Sequence, residues 1–337
     1  MSADAGHALL TQRCATLPDV LRRAVEAAAP SLPSSMCDAR RWVVTATGAS
    51  EGPARLFAWA LRRYAGRCAE FVTLSSFAVD DAPRGDALAL FSQELSPNAR
   101  LGLTARSRYA HTLLVTATPD HPDVRAAAID GVEVCVHPPA SEPSLLLRVH
   151  GPAAATVLAL RLAEGVARAP GSIVAPSVWE RVPDAVERAF SETLGDAREL
   201  SLDGSLAIVT APDGAEAAHG LRWKWLEGTG TCDPPCWDVL QFAHGPWQLV
   251  VDRPYTLLAL ERAHDGTRAL FDRLASMLSP ERHALVRLRA TLPGAAAFFE
   301  HDARMNALVC ATLPRAGRDL VRWPGFGADG PLYRLGG

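Results

Sequence analysis

"RWVVTATGASEGPARLFAWALRRYAG", residues 41–66, is the stretch that decides the fold. Its first seven residues are β-branched or apolar almost without a break, the pattern of a strand buried on both faces. "TGASEG" (47–52) then supplies two glycines and a serine. Pro53, suited to a first helical turn, opens a run whose apolar residues recur at helical spacing. A doubly buried strand, a tight loop and a helix make the repeating unit of a parallel sheet covered by helices.

The same unit recurs along the chain. "ALALF" (87–91) reads as a strand, "SQELSPNA" (92–99) as a loop, and a helix follows over 99–109. "TLLVTAT" (112–118) and "GVEVCV" (131–136) are further strands, and residues 151–168 form a long helix. A Pro-rich passage at 169–186 marks a boundary. Beyond it the alternation restarts: a strand at 205–211, a helix through "AEAAHGLRWKWLEG" (215–228), a strand "WQLVVD" (247–252), a helix near 256–277, a strand at 284–291 and a last helix over 295–312. Residues 1–40 read as a leading helix and connector. The expected architecture is α/β: two tandem, doubly wound parallel-sheet domains of flavodoxin-like type over 41–170 and 171–337.

Composition narrows the function classes. Hydrophobic residues make up 48% and charged residues 21%, with no run near the ~20 apolar residues of a membrane span. A net charge of -3 and a pI near 6.4 provide no broad cationic field for nucleic acid. The start, "MSADAGHALLTQRCATLPDV", lacks a basic region followed by an apolar core, so a cytoplasmic location is expected. Seven scattered cysteines, an odd number, read as reduced thiols. "CDPPC" (232–236) has no second cysteine pair, and no His-x-x-x-His spacing occurs, so no metal is expected.

In open parallel sheets ligands bind beyond the carboxyl ends of the strands. Gly48 and Ser50 in the first loop, and Ser92, Gln93 and Ser96 in the second, are therefore candidate ligand contacts; plain turns and caps use the same residues. Lys224 is the only lysine beside 33 arginines. A surface ion pair would accept arginine equally well, whereas an amine that loses its proton or forms an imine has no guanidinium substitute. Glu227 lies three residues on, on the same helical face. His244, in "FAHGP" (242–246), is the residue type suited to moving protons near neutral pH.

Two α/β halves, a Gly-Ser loop after the first strand, Ser-Gln after the second, and Lys-x-x-Glu followed by His-Gly-Pro together resemble the sugar isomerase (SIS) family. The likeness is greatest to the isomerase half of glucosamine-6-phosphate synthase and to stand-alone ketosamine-phosphate deglycases, and it covers roughly residues 40–335. The resemblance implies a sugar or amino-sugar substrate and an aldose-ketose isomerase or deaminase reaction without a cofactor. Glu227 would shuttle a proton between neighbouring carbons, His244 would assist ring opening from the second subunit of a homodimer, and Lys224 would lie against the intermediate.

Two departures stand out. Ser92-Gln93-Glu94-Leu95-Ser96-Pro97 replaces the family's Ser-Gln-Ser-Gly-x-Thr phosphate loop, with Glu94 where a phosphate-contacting serine is expected. An amine or polyol end group suits Ser92, Gln93 and Glu94 at least as well as a phosphate. The tail keeps Asp329, Pro331 and Leu332 in a similar frame but offers Tyr333 or Arg334 in place of the family's lysine. Two other readings keep the fold: an elimination or rearrangement enzyme acting on a non-phosphorylated metabolite of specialised metabolism, and a non-catalytic sugar-ligand sensor.

Overall fold

The computed structural model describes residues 3–138, 142–197, 205–212, 214–262 and 266–336. The chain forms two compact units, each with its own parallel sheet. One comprises residues 19–144, 150–176 and 322–337; the other comprises residues 1–18, 145–149 and 177–321.

The first unit holds β1 (Arg41–Ala46), β2 (Cys68–Phe71), β3 (Ala87–Phe91), β4 (His111–Thr116) and β5 (Glu133–Val136). They run parallel in the order β2-β1-β3-β4-β5. Every residue of β3 is buried, as its unbroken apolar sequence requires. Helices Glu51–Tyr64 and His150–Ala167 pack against each other in this unit, and Phe57 bridges Trp42 and Phe91 with ring centroids 5.6 Å from each. Leu88, Leu90 and Leu114 build the core with Phe77, Leu103 and Val124. The strand order reverses between β1 and β3, so the loops leaving those two strands flank the crevice where such sheets take ligands.

The second unit holds β6 (Ser205–Thr210), β7 (Cys236–Asp238), β8 (Tyr255–Arg262) and β9 (His283–Ala290), parallel in the order β7-β6-β8-β9. Helices Val182–Asp196, Ala215–Thr229, Thr267–Met277 and Ala297–Ala316 accompany this sheet. Ala207, Val209, Leu257 and Ala259 pack with Phe242, Val250 and Phe271 in its core.

The structure corrects the elements expected between residues 247 and 266. "WQLVVD" is not a strand: Pro246 starts a short helix, Pro246–Val250, and Leu249 and Val251 are exposed. The strand is "YTLLALER", expected to be helical, which pairs with β6 and β9 and is buried at seven of its eight positions. A Leu-rich run has no period that separates a buried strand from a buried helix, so pairing on both edges decides. The edge strands β2 and β7 are only four and three residues long, too short to carry a pattern. Helix Val182–Asp196 begins inside the Pro-rich passage, with Pro183 in its first turn.

Candidate functional site

The loop leaving β1 turns at once through a short 3-10 segment, Gly48–Ser50. Gly48 has φ +57°, a conformation that favours glycine. Ser50 stands at the N-cap of helix Glu51–Tyr64, yet its side chain makes no capping bond, so capping does not occupy its hydroxyl. The next residue, Glu51, pairs with Arg55 at 2.7 Å.

The loop leaving β3 is tied inward. The Ser92 amide donates to Val115 O at 3.0 Å, and the Ser92 hydroxyl accepts from the Ser96 amide at 3.1 Å. Thr116 Oγ1 and the Ala117 amide donate to Gln93 O. The Gln93 amide reaches Glu142 Oε2 at 3.5 Å. Glu142 is buried, and its two carboxylate oxygens accept from the amides of His150 (3.0 Å) and Gly151 (2.7 Å) at the start of the long helix. The carboxylate thus supplies the negative charge that a helix N-terminus favours. Leu95 is buried at φ +46°, Glu94 is half-buried, and the Ser96 hydroxyl is shielded from solvent without a hydrogen-bond partner.

In the second unit the lone lysine is buried on helix Ala215–Thr229. Its ammonium donates to Asp302 Oδ2 at 3.1 Å and Asn306 Oδ1 at 2.9 Å, and lies 3.0 Å from Asp302 Oδ1. Asp302 and Asn306 sit four residues apart on helix Ala297–Ala316, so both side chains face one spot. The two helices meet closely: Gly228 lies against Val309, leaving no room for a Cβ. Cys14 Sγ and Cys310 Sγ lie 3.9 Å apart, and both thiols sense the Lys224 charge. An ammonium fits this small polar pocket, whereas a guanidinium would need more volume and more acceptors.

Glu227, one turn further along, has the opposite environment. Its Oε2 is shielded from solvent and has no hydrogen-bond partner. Burial pushes the carboxyl up to about 7, against the opposing pull of Arg148, Lys224 and Arg318. A carboxyl near neutrality with an uncommitted buried oxygen can both accept and return a proton at physiological pH. Helix Ala215–Thr229 ends at Gly230, φ +64°, and Arg318 packs directly against that glycine. Its guanidinium therefore stands at the negative end of the helix.

His244 is exposed at the end of a 3-10 turn, Gln241–Ala243, and is not among the groups whose charge acts on Glu227. Trp225 is fully buried, as core packing requires, and Trp223 is half-buried beside Arg222. Arg222 pairs with Asp233, inside "CDPPC". Among the described residues no three His, Cys, Asp or Glu side chains cluster as metal ligands. No helix among them is long and apolar enough to cross a membrane. Sequence reasoning placed Lys224 and Glu227 on one helical face and missed Arg148, Arg318, Asp302 and Asn306. Nothing marks two arginines among 33, and the i, i+4 pair Asp302 and Asn306 is the one signal that was readable.

The chain has the fold of sugar isomerase (SIS) proteins, with a parallel sheet in each of its two units. Over 93% of its length it superimposes on 98% of the C-terminal domain of glucosamine-fructose-6-phosphate aminotransferase from Francisella tularensis, TM-score 0.74, at 12% identity. Glucosamine-6-phosphate deaminase from Thermotoga maritima gives TM-score 0.73 at 13% identity, covering 94% of this chain and 97% of that one. Tagatose-6-phosphate ketose/aldose isomerase from Escherichia coli gives 0.70 at 18% identity, covering 95% and 96%. No family model matches the chain. No curated protein matches it by sequence.

Proposed function

We propose that this chain is a tandem SIS enzyme that moves a proton on the carbon next to a carbonyl or imine of a sugar-like substrate, as an aldose-ketose isomerase or a related deaminase. The observation that carries the reading is Glu227: a buried carboxyl with a free oxygen, poised at about 7, with cations nearby. Glu227 is the base, and Arg148 and Arg318 supply positive charge to oppose the negative charge of an enediolate. Lys224 takes the electrostatic role rather than that of imine partner, because Asp302 and Asn306 already occupy its amine nitrogen with hydrogen bonds. Gly48, Ser50, Ser92, Gln93, Glu94 and Ser96 are the ligand-binding residues. His244 is the acid for ring opening and acts from a second copy of the chain. His244 is exposed, as are the apolar Leu240, Leu249 and Val251 close to it in sequence, and this supports a homodimer.

The test is Glu227→Gln. Loss of a general base lowers kcat by about 100-fold or more, read as deuterium incorporation from heavy water into candidate amino sugars and ketoses. A folded variant with unchanged exchange removes the assignment. Ligand binding by the parent protein without any exchange or turnover favours the sensor reading.

A further inference from the structure

The face of helix Ala297–Ala316 that holds the lysine continues beyond it. Asp302, Asn306 and Cys310 follow one another at intervals of four residues, so the Cys310 thiol lies on the same face as the two residues that bind Lys224. Opposite it stands Cys14, on the leading helix Ala3–Glu26. The two sulfur atoms are 3.9 Å apart, both are buried, and 296 residues separate them within one unit. The His7 ring bonds Cys310 O at 3.1 Å, and Leu10 and Leu17, on the Cys14 side of the leading helix, are fully buried. The thiols are therefore held face to face by packing around them.

A cysteine that only fills space is inert, because burial raises its thiol. Cys135 behaves in this way: burial pushes it up to about 12. Cys310 moves in the opposite direction. The hydrogen bond from Cys14 draws it below the usual thiol range against the cost of burial, helped by the Thr11 hydroxyl and the Lys224 charge. That same bond, together with burial, pushes Cys14 well up. One sulfur is thus disposed to ionise while its neighbour keeps a proton, the division of roles that thiol oxidation needs. Thr11 and His7, which both bond Cys310, are half-buried, so solvent reaches its immediate neighbours.

We propose that Cys14 and Cys310 form a reversible disulfide that fastens the leading helix to helix Ala297–Ala316, with a peroxide as oxidant and a dithiol as reductant. The Cys310 thiolate attacks a peroxide oxygen, the O–O bond breaks, and hydroxide leaves with the thiol proton as water, giving a sulfenic acid. The Cys14 sulfur then attacks the Cys310 sulfur. The S–S bond forms, the S–O bond breaks, and the hydroxyl takes the Cys14 proton and leaves as a second water. The two sulfurs lose two electrons and the peroxide gains them. The sulfurs close from 3.9 Å to about 2 Å, so each moves by about 1 Å. A bond across 296 residues restrains almost the whole unfolded chain. The inference is independent of the role proposed for Glu227.

The experiment exposes the reduced, folded parent protein to hydrogen peroxide, blocks the remaining thiols with N-ethylmaleimide in urea, and maps the unreduced peptides by mass spectrometry. The expected result is a peptide pair joined through Cys14 and Cys310, with labelling at both residues lost and then restored by dithiothreitol. The urea midpoint should rise by about 1 M on oxidation, and the rise should be absent in Cys14→Ser and Cys310→Ser. The peptide map needs only the parent, so a variant that fails to fold does not remove the test. Full labelling of both residues after peroxide has consumed the exposed Cys68 thiol overturns the proposal. So does Cys310 oxidised onward to sulfinic acid, either residue joined to a different cysteine, or a Cys14–Cys310 bond that forms only when peroxide is added in urea.

Discussion

Glu300 and Glu227 belong to the same unit and are both shielded from solvent at a carboxylate oxygen, yet their surroundings differ completely. Glu300 accepts from the Thr291 amide (2.7 Å), the Thr291 hydroxyl (2.9 Å) and the Leu292 amide (2.6 Å), fastening the end of β9 to the start of helix Ala297–Ala316. Glu227 leaves Oε2 unbonded and is pushed up to about 7. A buried carboxylate with its lone pairs filled is a brace, whereas one with an oxygen unfilled retains its desolvation cost and stays available for a proton. Lys224 is surrounded as Glu300 is: the chain's single lysine has three acceptor atoms around its amine, which tie helix Ala215–Thr229 to helix Ala297–Ala316 whatever charge it lends to the site.

Removal of a brace should produce the largest loss of stability. Lys224→Met leaves Asp302 and Asn306 facing a buried cavity without their donor and should cost about 3–5 kcal/mol of unfolding free energy in urea. A loss under about 1 kcal/mol, the range of a surface pair, would place the lysine among ordinary surface charges and dissolve the contrast.

The next effect is a pH dependence. Folded Glu227 holds its proton more tightly than the unfolded chain, whose carboxyl titrates near 4.5. Its contribution to stability is therefore complete below about 4.5 and is lost as pH rises through about 7. The loss amounts to about 3 kcal/mol, and Glu227→Gln should flatten the stability profile across that window. An unchanged slope in the variant would mean that the carboxyl is solvated.

Glu300→Gln should cost about 2 kcal/mol, because an amide group has one acceptor oxygen for three donors, and should leave deuterium exchange into substrate intact. The smallest effect is expected at Asn98→Ala, which loses the bonds to Leu332 O (2.8 Å) and from the Leu335 amide (3.0 Å): about 1 kcal/mol, with faster backbone hydrogen exchange confined to residues 326–336. Exchange that spreads into β3 would show that the tail supports the sheet rather than resting on the loop.

The parts of the fold that were legible are those where one local pattern admits one structure. β1, β3, β4 and β6 are short runs dominated by apolar and β-branched residues, and the helices at Glu51–Tyr64 and His150–Ala167 carry apolar residues at helical spacing. β8 was not legible, because "YTLLALER" becomes a strand only through the pairing of both its edges. The candidate site divides in the same way. Lys224 and Glu227 were visible as a pair on one helix face, but their different surroundings depend on Asp302, Asn306, Arg148 and Arg318, residues up to 91 positions from their partner in the chain.

By itself the sequence determined the alternation of strands and helices, the serine loops and the turn that carries the lysine and the glutamate, because each depends on side-chain periodicity and backbone preference within a few neighbouring residues. Tertiary structure alone decided that the lysine's amine is hydrogen-bonded while Glu227 Oε2 is not, and that the Ser96 amide is bonded to the Ser92 hydroxyl. Hydrogen-bond saturation and desolvation are set by whatever the folded chain brings alongside, and no local pattern encodes that.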